Sequence, residues 1–207
     1  MTTKQLNFWR GEFGHDYIKR NNKNQKNIQA RTKMWSSIME CMAEVEPKSI
    51  LEVGSNIGNN LHAINNISNA KLYAVEPIKQ AREILVNSGL LPSENIFDGT
   101  AEKIPFSNQS ADLVFTNGVL IHIHPNNLLQ ACKEIYRVSA KYIVCIEYFS
   151  DKNEEIPYRG HDEVLFKCDF GSFWLDNFSD LLLSGYGFNW KRATGLDNLN
   201  WWVFRKP

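Results

Sequence analysis

The chain has 207 residues, and its 23 Lys plus Arg offset 23 Asp plus Glu to a formal net charge of zero. That length suits one domain with a sizeable core, and the balance excludes a general basic field for nucleic acid. No apolar run approaches the roughly 20 residues of a membrane span.

The opening MTTKQLNFWRGEFG lacks the apolar core of a secretion signal. Cys41, Cys132, Cys145 and Cys168 form no C-x-x-C pair, and three of them sit among apolar neighbours as reduced core thiols do. A cytoplasmic protein is expected. No internal repeat and no second-domain boundary is visible.

Residues 7–21 mix aromatics, charges and two glycines. Phe8, Trp9, Phe13, Tyr17 and Ile18 need burial, so an ordered cap is expected over residues 1–30, ahead of a main domain at 31–207. Met34, Ile38, Met42 and Val45 recur at helical steps, predicting a helix over 31–45 that Pro47 ends. An apolar strand at 50–53 follows, then a helix beginning near Gly58. Residues 71–75 read as a second strand and 77–86 as a helix with Pro77 in its first turn and Ser88-Gly89 at its close. Short strands are expected at 95–97 and 111–116, a helix at 125–138 and a fifth strand at 142–146. Residues 152–162 form a polar excursion. A helix over 170–183 and two strands at 185–194 and 199–205, joined by a GLDN loop, complete the reading. Strands alternating with helices predict an α/β fold with a mostly parallel sheet.

The segment SILEVGSNIGNNL (49–61) is a buried strand breaking into a helix through a tight loop. Such a loop lets backbone N–H groups approach a nucleotide-type ligand. Gly54 permits a φ that other residues resist and brings no Cβ toward a ligand. Gly58 lets the first helical turn pack closely, and Asn56 is the best non-glycine substitute in the left-handed region. Glu76 ends the second strand 22 positions after Gly54, close to the roughly 20-residue gap at which an acid meets a ribose diol. Its bland alternative is a solvated glutamate favoured by a helix dipole.

The spacing E-x-G-x-G-x-G from Glu52, with Asn56 for the middle glycine, resembles motif I of the class I S-adenosylmethionine (SAM)-dependent methyltransferases. Gly99-Thr100-Ala101-Glu102 with Ile104-Pro105-Phe106 resembles their adenine loop, with Thr100 where Asp is frequent; Asp98 is a substitute acceptor. The resemblance implies a three-layer Rossmann-like fold, with seven strands and a C-terminal antiparallel hairpin. It implies SAM as cofactor, held by Glu52, Gly54, Ser55, Asn56, Gly58, Glu76, Pro77, Thr100, Ala101 and Asn117. The segments FWRGEFGHDYIKRN, LEVGSNIGNNL, YRGHDEVLFKCDFG and GYGFNW…NWWVF also resemble the pseudaminic-acid-biosynthesis-associated methylases. That resemblance implies a small, sugar-derived acceptor of the nonulosonic acid pathways that supply surface and flagellar glycans.

A hydroxyl acceptor needs a general base, and histidine suits neutral pH. The candidates are His122, His124 and His161, with Tyr148 and Asp169 to orient the acceptor. Arg159 is a candidate grip for a carboxylate or phosphate, and Tyr17 and Arg20 for a lid. The alternatives are ordinary: a histidine packed on the sheet or capping a helix, and surface loop residues. His122 and His124 lack a carboxylate pattern for metal, so no metal is expected. Trp9 and Trp174 are expected to face a ligand, and Trp190, Trp201 and Trp202 to pack as hairpin aromatics. Two rival functions are a non-catalytic SAM-binding partner in glycan assembly and a nicotinamide-dependent oxidoreductase, the latter disfavoured by the missing glycines. The oligomeric state is not legible in the sequence.

Overall fold

In the computed structural model the described residues are 4–21, 24–42 and 44–207. Two short helices come first, α1 (Lys4–Arg10) and α2 (Glu12–Arg20), followed by α3 (Gln25–Glu40). The α/β core then alternates β1 (Ser49–Val53), α4 (Asn59–Asn65), β2 (Lys71–Val75), α5 (Lys79–Asn87) and β3 (Ile96–Phe97). It continues through β4 (Ala111–Asn117), α6 (Pro125–Val138) and β5 (Ser139–Glu147). A two-residue ribbon, β6 (Glu154–Glu155) with β7 (Phe166–Lys167), precedes α7 (Phe170–Asn177), β8 (Leu182–Asn189), α8 (Lys191–Thr194) and β9 (Leu199–Arg205).

The seven-stranded sheet runs β3-β2-β1-β4-β5-β9-β8. Its first five strands are parallel; β9 is antiparallel to β5, and β8 to β9. β1 buries Ile50, Leu51 and Val53 because helices cover both faces of the sheet, as its continuous apolar run requires. One face packs Cys132, Ile135, Trp174 and Phe204 with α6 and α7, the other Trp35, Ile38, Leu61 and Leu85 with α3, α4 and α5. The strand order reverses between β1 and β4, which opens a crevice beyond their carboxyl ends.

β2, α6 and β9 occupy their predicted bounds. The helix expected from residue 31 begins instead at Gln25, because the Asn24 side chain accepts the Lys26 N–H at 2.9 Å and caps it there; it ends at Glu40. Pro77 lies outside α5: the Glu76 carboxylate takes the Ile78 N–H at 2.8 Å and holds the connection extended. The predicted helix 170–183 stops at Asn177, since residues 182–189 pair with β9 instead. That pairing also starts β8 earlier than expected, and residues 191–194 turn helical up to Gly195, whose φ is +76°. Among the described residues no helix is long and apolar enough to cross a membrane.

Candidate active site

A cavity of about 400 Å³ opens at the crevice between β1 and β4. Its floor is the loop after β1, where Gly54, Asn56 and Gly58 take φ values of +76°, +48° and +79°. The Gly54 and Ser55 N–H groups return to the Val75 carbonyl at 2.8 and 3.2 Å, so the loop is tied to the end of β2. A Cβ on Gly54 would meet Val119 Cγ2 at 2.5 Å, and one on Gly58 would meet Leu85 Cδ1 at 2.5 Å. Both glycines therefore serve close packing against protein. Gly58 admits α5, not the strand, and does not line the cavity.

Glu76 is 3% exposed and lines the cavity. Its Oε2 accepts the Asn56 N–H at 2.7 Å, and its Oε1 accepts from Ile78. Burial pushes its pKa up to about 7 against the pull of those two donors. Carboxylate oxygens carry further acceptor capacity, which the cavity-facing position leaves available to a ligand.

A second polar cluster sits beside it. Asn60, in the first turn of α4, donates to Glu52 Oε1 at 2.6 Å and accepts from Arg31 Nη1 at 2.7 Å and Asn117 Nδ2 at 3.2 Å. Asn27 Oδ1 takes Arg31 Nε at 2.7 Å. The guanidinium is thus aimed into the cavity by two neutral amide acceptors. Glu52 is buried at the end of β1 and pushed up to about 8 by desolvation. Glu52 Oε2, Asn56 Oδ1 and Asn59 Oδ1 are buried without a hydrogen-bond partner among the described residues, and all three residues line the cavity. Buried unpaired acceptors are costly, so donors from a ligand are the natural complement.

The lining also includes Tyr17, Tyr148, Tyr158, Arg159, His122 and Asp197. His122 Nδ1 lies 2.7 Å from the Val164 carbonyl, which can only accept; Nδ1 therefore carries the proton and Nε2 the lone pair. Burial depresses this histidine to about 4, so it is neutral at physiological pH. Trp9 packs edge-on against its ring at 4.6 Å. The turn that carries His122 is held by Glu147 at the end of β5, whose carboxylate accepts from the Val119, Leu120 and Ile121 N–H groups at 3.2, 3.1 and 3.4 Å. Tyr148 is raised chiefly by burial and next by the nearby Asp197 carboxylate.

The structure thus brings Glu52, Gly54, Ser55, Asn56, Glu76, Pro77, Thr100, Ala101, Asn117, Tyr17, Arg20, Arg159, His122 and Tyr148 to one cavity. It places three expected chemistry-bearing residues elsewhere. His124 caps α6, its Nδ1 accepting the Asn126 N–H at 3.2 Å. His161 is exposed and packs on Phe8 and Phe13. Asp169 caps α7, accepting from the Ser172 N–H at 3.0 Å and hydroxyl at 2.7 Å. Asp98, the substitute acceptor, is engaged by Arg10 and Arg82 at 2.9 and 3.1 Å and does not line the cavity. Trp174 lies wholly in the core against Phe178 and Phe204, whereas Trp9 lines the cavity.

Sequence reasoning missed Arg31, Asn60, Tyr158 and Asp197. Asn60 carried one readable signal, a polar residue beside the apolar Leu61, Ala63 and Ile64 on a short helix. Among the described residues no group of three or more His, Cys, Asp or Glu is arranged to hold a metal ion.

A family model described as a methyltransferase domain matches residues 51–142. The chain has the fold of solved methyltransferases. The Burkholderia thailandensis 1,6-didemethyltoxoflavin-N1-methyltransferase, solved with 1,6-didemethyltoxoflavin and S-adenosylhomocysteine, superposes with a TM-score of 0.74 at 13% identity. That match covers 100% of this chain and 90% of the other. The magnesium protoporphyrin IX methyltransferase of Synechocystis PCC 6803, with bound SAM, gives 0.69 at 11% identity over 99% and 98% of the two chains. A SAM-dependent methyltransferase from Aquifex aeolicus gives 0.65 at 16% identity over 93% and 98%. No protein of curated function matches the chain in sequence.

Proposed function

We propose that the protein transfers the methyl group of S-adenosylmethionine to an oxygen or nitrogen of a small, sugar-derived acceptor. The carrying observation is Glu76: a buried carboxylate at the tip of β2 that pins the left-handed loop after β1 and lines the cavity. Its spare lone pairs suit a ribose diol. The unpaired acceptors Asn56 Oδ1 and Asn59 Oδ1 suit the hydroxyl and ammonium donors of the same cofactor. The residues present therefore fit the group.

S-Adenosylmethionine supplies, when bound, a sulfonium methyl that is already activated for displacement. In this reading Glu76 holds the ribose, Pro77, Thr100 and Ala101 flank the adenine, and Gly54, Ser55, Asn56 and Asn117 lie along the methionine end. Arg31, missed in the sequence, takes the carboxylate tail, because its guanidinium faces the cavity on amide acceptors with no carboxylate of the described residues in ion-pair contact. The chain's remaining task is to orient the acceptor, exclude water and receive a proton. His122 Nε2 is the base for a hydroxyl acceptor: its tautomer is fixed by Val164 and its lone pair is not consumed by protonation above about pH 4. Tyr148 and Arg159 orient the acceptor, and Tyr17 and Arg20 close over the cavity as part of a cap formed by α1 and α2.

The sugar-derived acceptor is supported by the likeness of four segments to the pseudaminic-acid methylases and by a far wall rich in phenols, amides and charged groups. A cytoplasmic setting, where nucleotide-activated sugars are made, belongs to the same proposal. Calorimetry with S-adenosylhomocysteine and NAD tests the cofactor; binding of NAD alone overturns it. A screen with labelled SAM against free and nucleotide-activated nonulosonic acids, read by mass spectrometry for one added methyl, tests the acceptor. Cofactor binding with no methylated product in that screen overturns the acceptor class.

A further inference from the structure

β8 is the outer strand of the sheet: β9 pairs with one side, and no described strand pairs with the other. A side chain at Gly185 would collide with Cys41, and one at Gly187 with Trp201, so those positions are seated against protein. Tyr186 between them and Phe188 after them face the other way. Tyr186 stands opposite Trp202 and Phe188 opposite Asn200, and they are 71% and 55% exposed. Leu183, opposite Phe204 on the same side, is 45% exposed.

An edge of this kind is ordinarily guarded by lysine, proline or an inward charge. The run LLSGYGFNW (182–190) contains neither a proline nor any charged residue, in a chain that is 22% charged. A bulge between Leu183 and Gly185 limits regular pairing to residues 185–189. Within them the pattern is symmetric about Gly187: aromatic, glycine, aromatic. An antiparallel copy centred there sets Tyr186 against the partner's Phe188, and Phe188 against the partner's Tyr186. All four rings then lie on one face, and no charge meets its own image across the axis.

We propose that β8 pairs with β8 of a second copy of this chain, giving a twofold dimer with one continuous sheet. A second copy is the occupant because it carries the matching spacing by construction and brings no charge to this edge. The pairing also braces the wall of the cavity, since β8 leads through Asn189 to Leu196 and Asp197, all of which line it.

The full chain, examined by light scattering after size exclusion at micromolar concentrations, is expected to have twice its 23.9 kDa mass. Y186K/F188K places like charges across the proposed register and should weaken the dimer about 100-fold or more, leaving a monomer. Y186K/F188E places opposite charges there and should restore it. Circular dichroism and S-adenosylhomocysteine binding check that both variants fold. A monomeric parent protein overturns the proposal, as does the same oligomeric state in both double variants.

Discussion

The Glu76 carboxylate takes the Asn56 amide N–H at 2.7 Å, so the acid at the tip of β2 fixes the shape of the loop that follows β1. One group thereby shapes the floor of the cavity and offers lone pairs to whatever lies on it. Glu76→Gln should raise the dissociation constant for S-adenosylhomocysteine about 10- to 100-fold, the size of a lost charge-assisted contact. Calorimetry measures this, and unchanged affinity in a folded variant removes Glu76 from the ribose.

The same carboxylate gives the binding a pH dependence. Its pKa is raised to about 7, so below that value it is protonated in the free protein and offers fewer acceptor sites. Affinity for S-adenosylhomocysteine should rise between pH 6 and pH 8. A flat profile in the parent protein, matching that of the Gln variant, contradicts the assignment.

Stability should run the other way. Glu52, Glu76 and Glu147 are raised by burial to about 8, 7 and 7, so their contribution is present below the ordinary carboxylate range and lost as pH rises through those values. His122 is depressed to about 4; its contribution is present above its unfolded value near 6.5 and lost as pH falls toward 4. Three carboxyls outweigh one imidazole between pH 5 and 8. The melting temperature without ligand should therefore be higher at pH 6 than at pH 8. Scanning fluorimetry reads it directly, and the reverse order would mean that these carboxyls are ionised at little cost.

Arg31→Met separates the two ends of the cofactor. Binding of S-adenosylhomocysteine should weaken at least about 10-fold, while methylthioadenosine, which lacks the amino-acid tail, should bind as it does to the parent protein. Equal loss for both ligands would make Arg31 a structural support of Asn60, not a contact of the tail.

His122→Gln should leave S-adenosylhomocysteine affinity intact and slow methyl transfer about 100-fold or more if the acceptor is a hydroxyl. Transfer at the parental rate would assign the base elsewhere, or show an acceptor that arrives with a free lone pair.

Much of this architecture was readable because local and global signals agree. β2 and α6 are bounded by Pro77 and Pro125 and carry unbroken apolar patterns, and β9 is an aromatic-rich run with the same clarity. The loop after β1 was readable because its left-handed turns demand Gly or Asn at fixed steps. Other parts of the lining were not. Arg31 reaches the cavity from a helix whose start depends on the cap at Asn24, and Asp197 from a connection whose GLDN sequence is that of a plain loop. His124, His161 and Asp169 have the right chemistry for a site, yet their partners are a helix end or the rings of α1 and α2. Only packing distinguishes them from His122, whose partner is the Val164 carbonyl, 42 positions away.

The cover over the cavity is fastened on two sides. Lys4 pairs with Glu163, and Phe8 and Phe13 pack on His161; across the mouth, Arg10 reaches the Pro77 carbonyl at 3.3 Å and Asp98 at 2.9 Å. On the proposed function, a product leaving beneath α1 and α2 would wait for exposed ion pairs and a patch of stacked rings to part. Added salt loosens the former and leaves the latter in place. The dwell time of a spent cofactor would then be governed by its doorway as well as by the floor on which it rests.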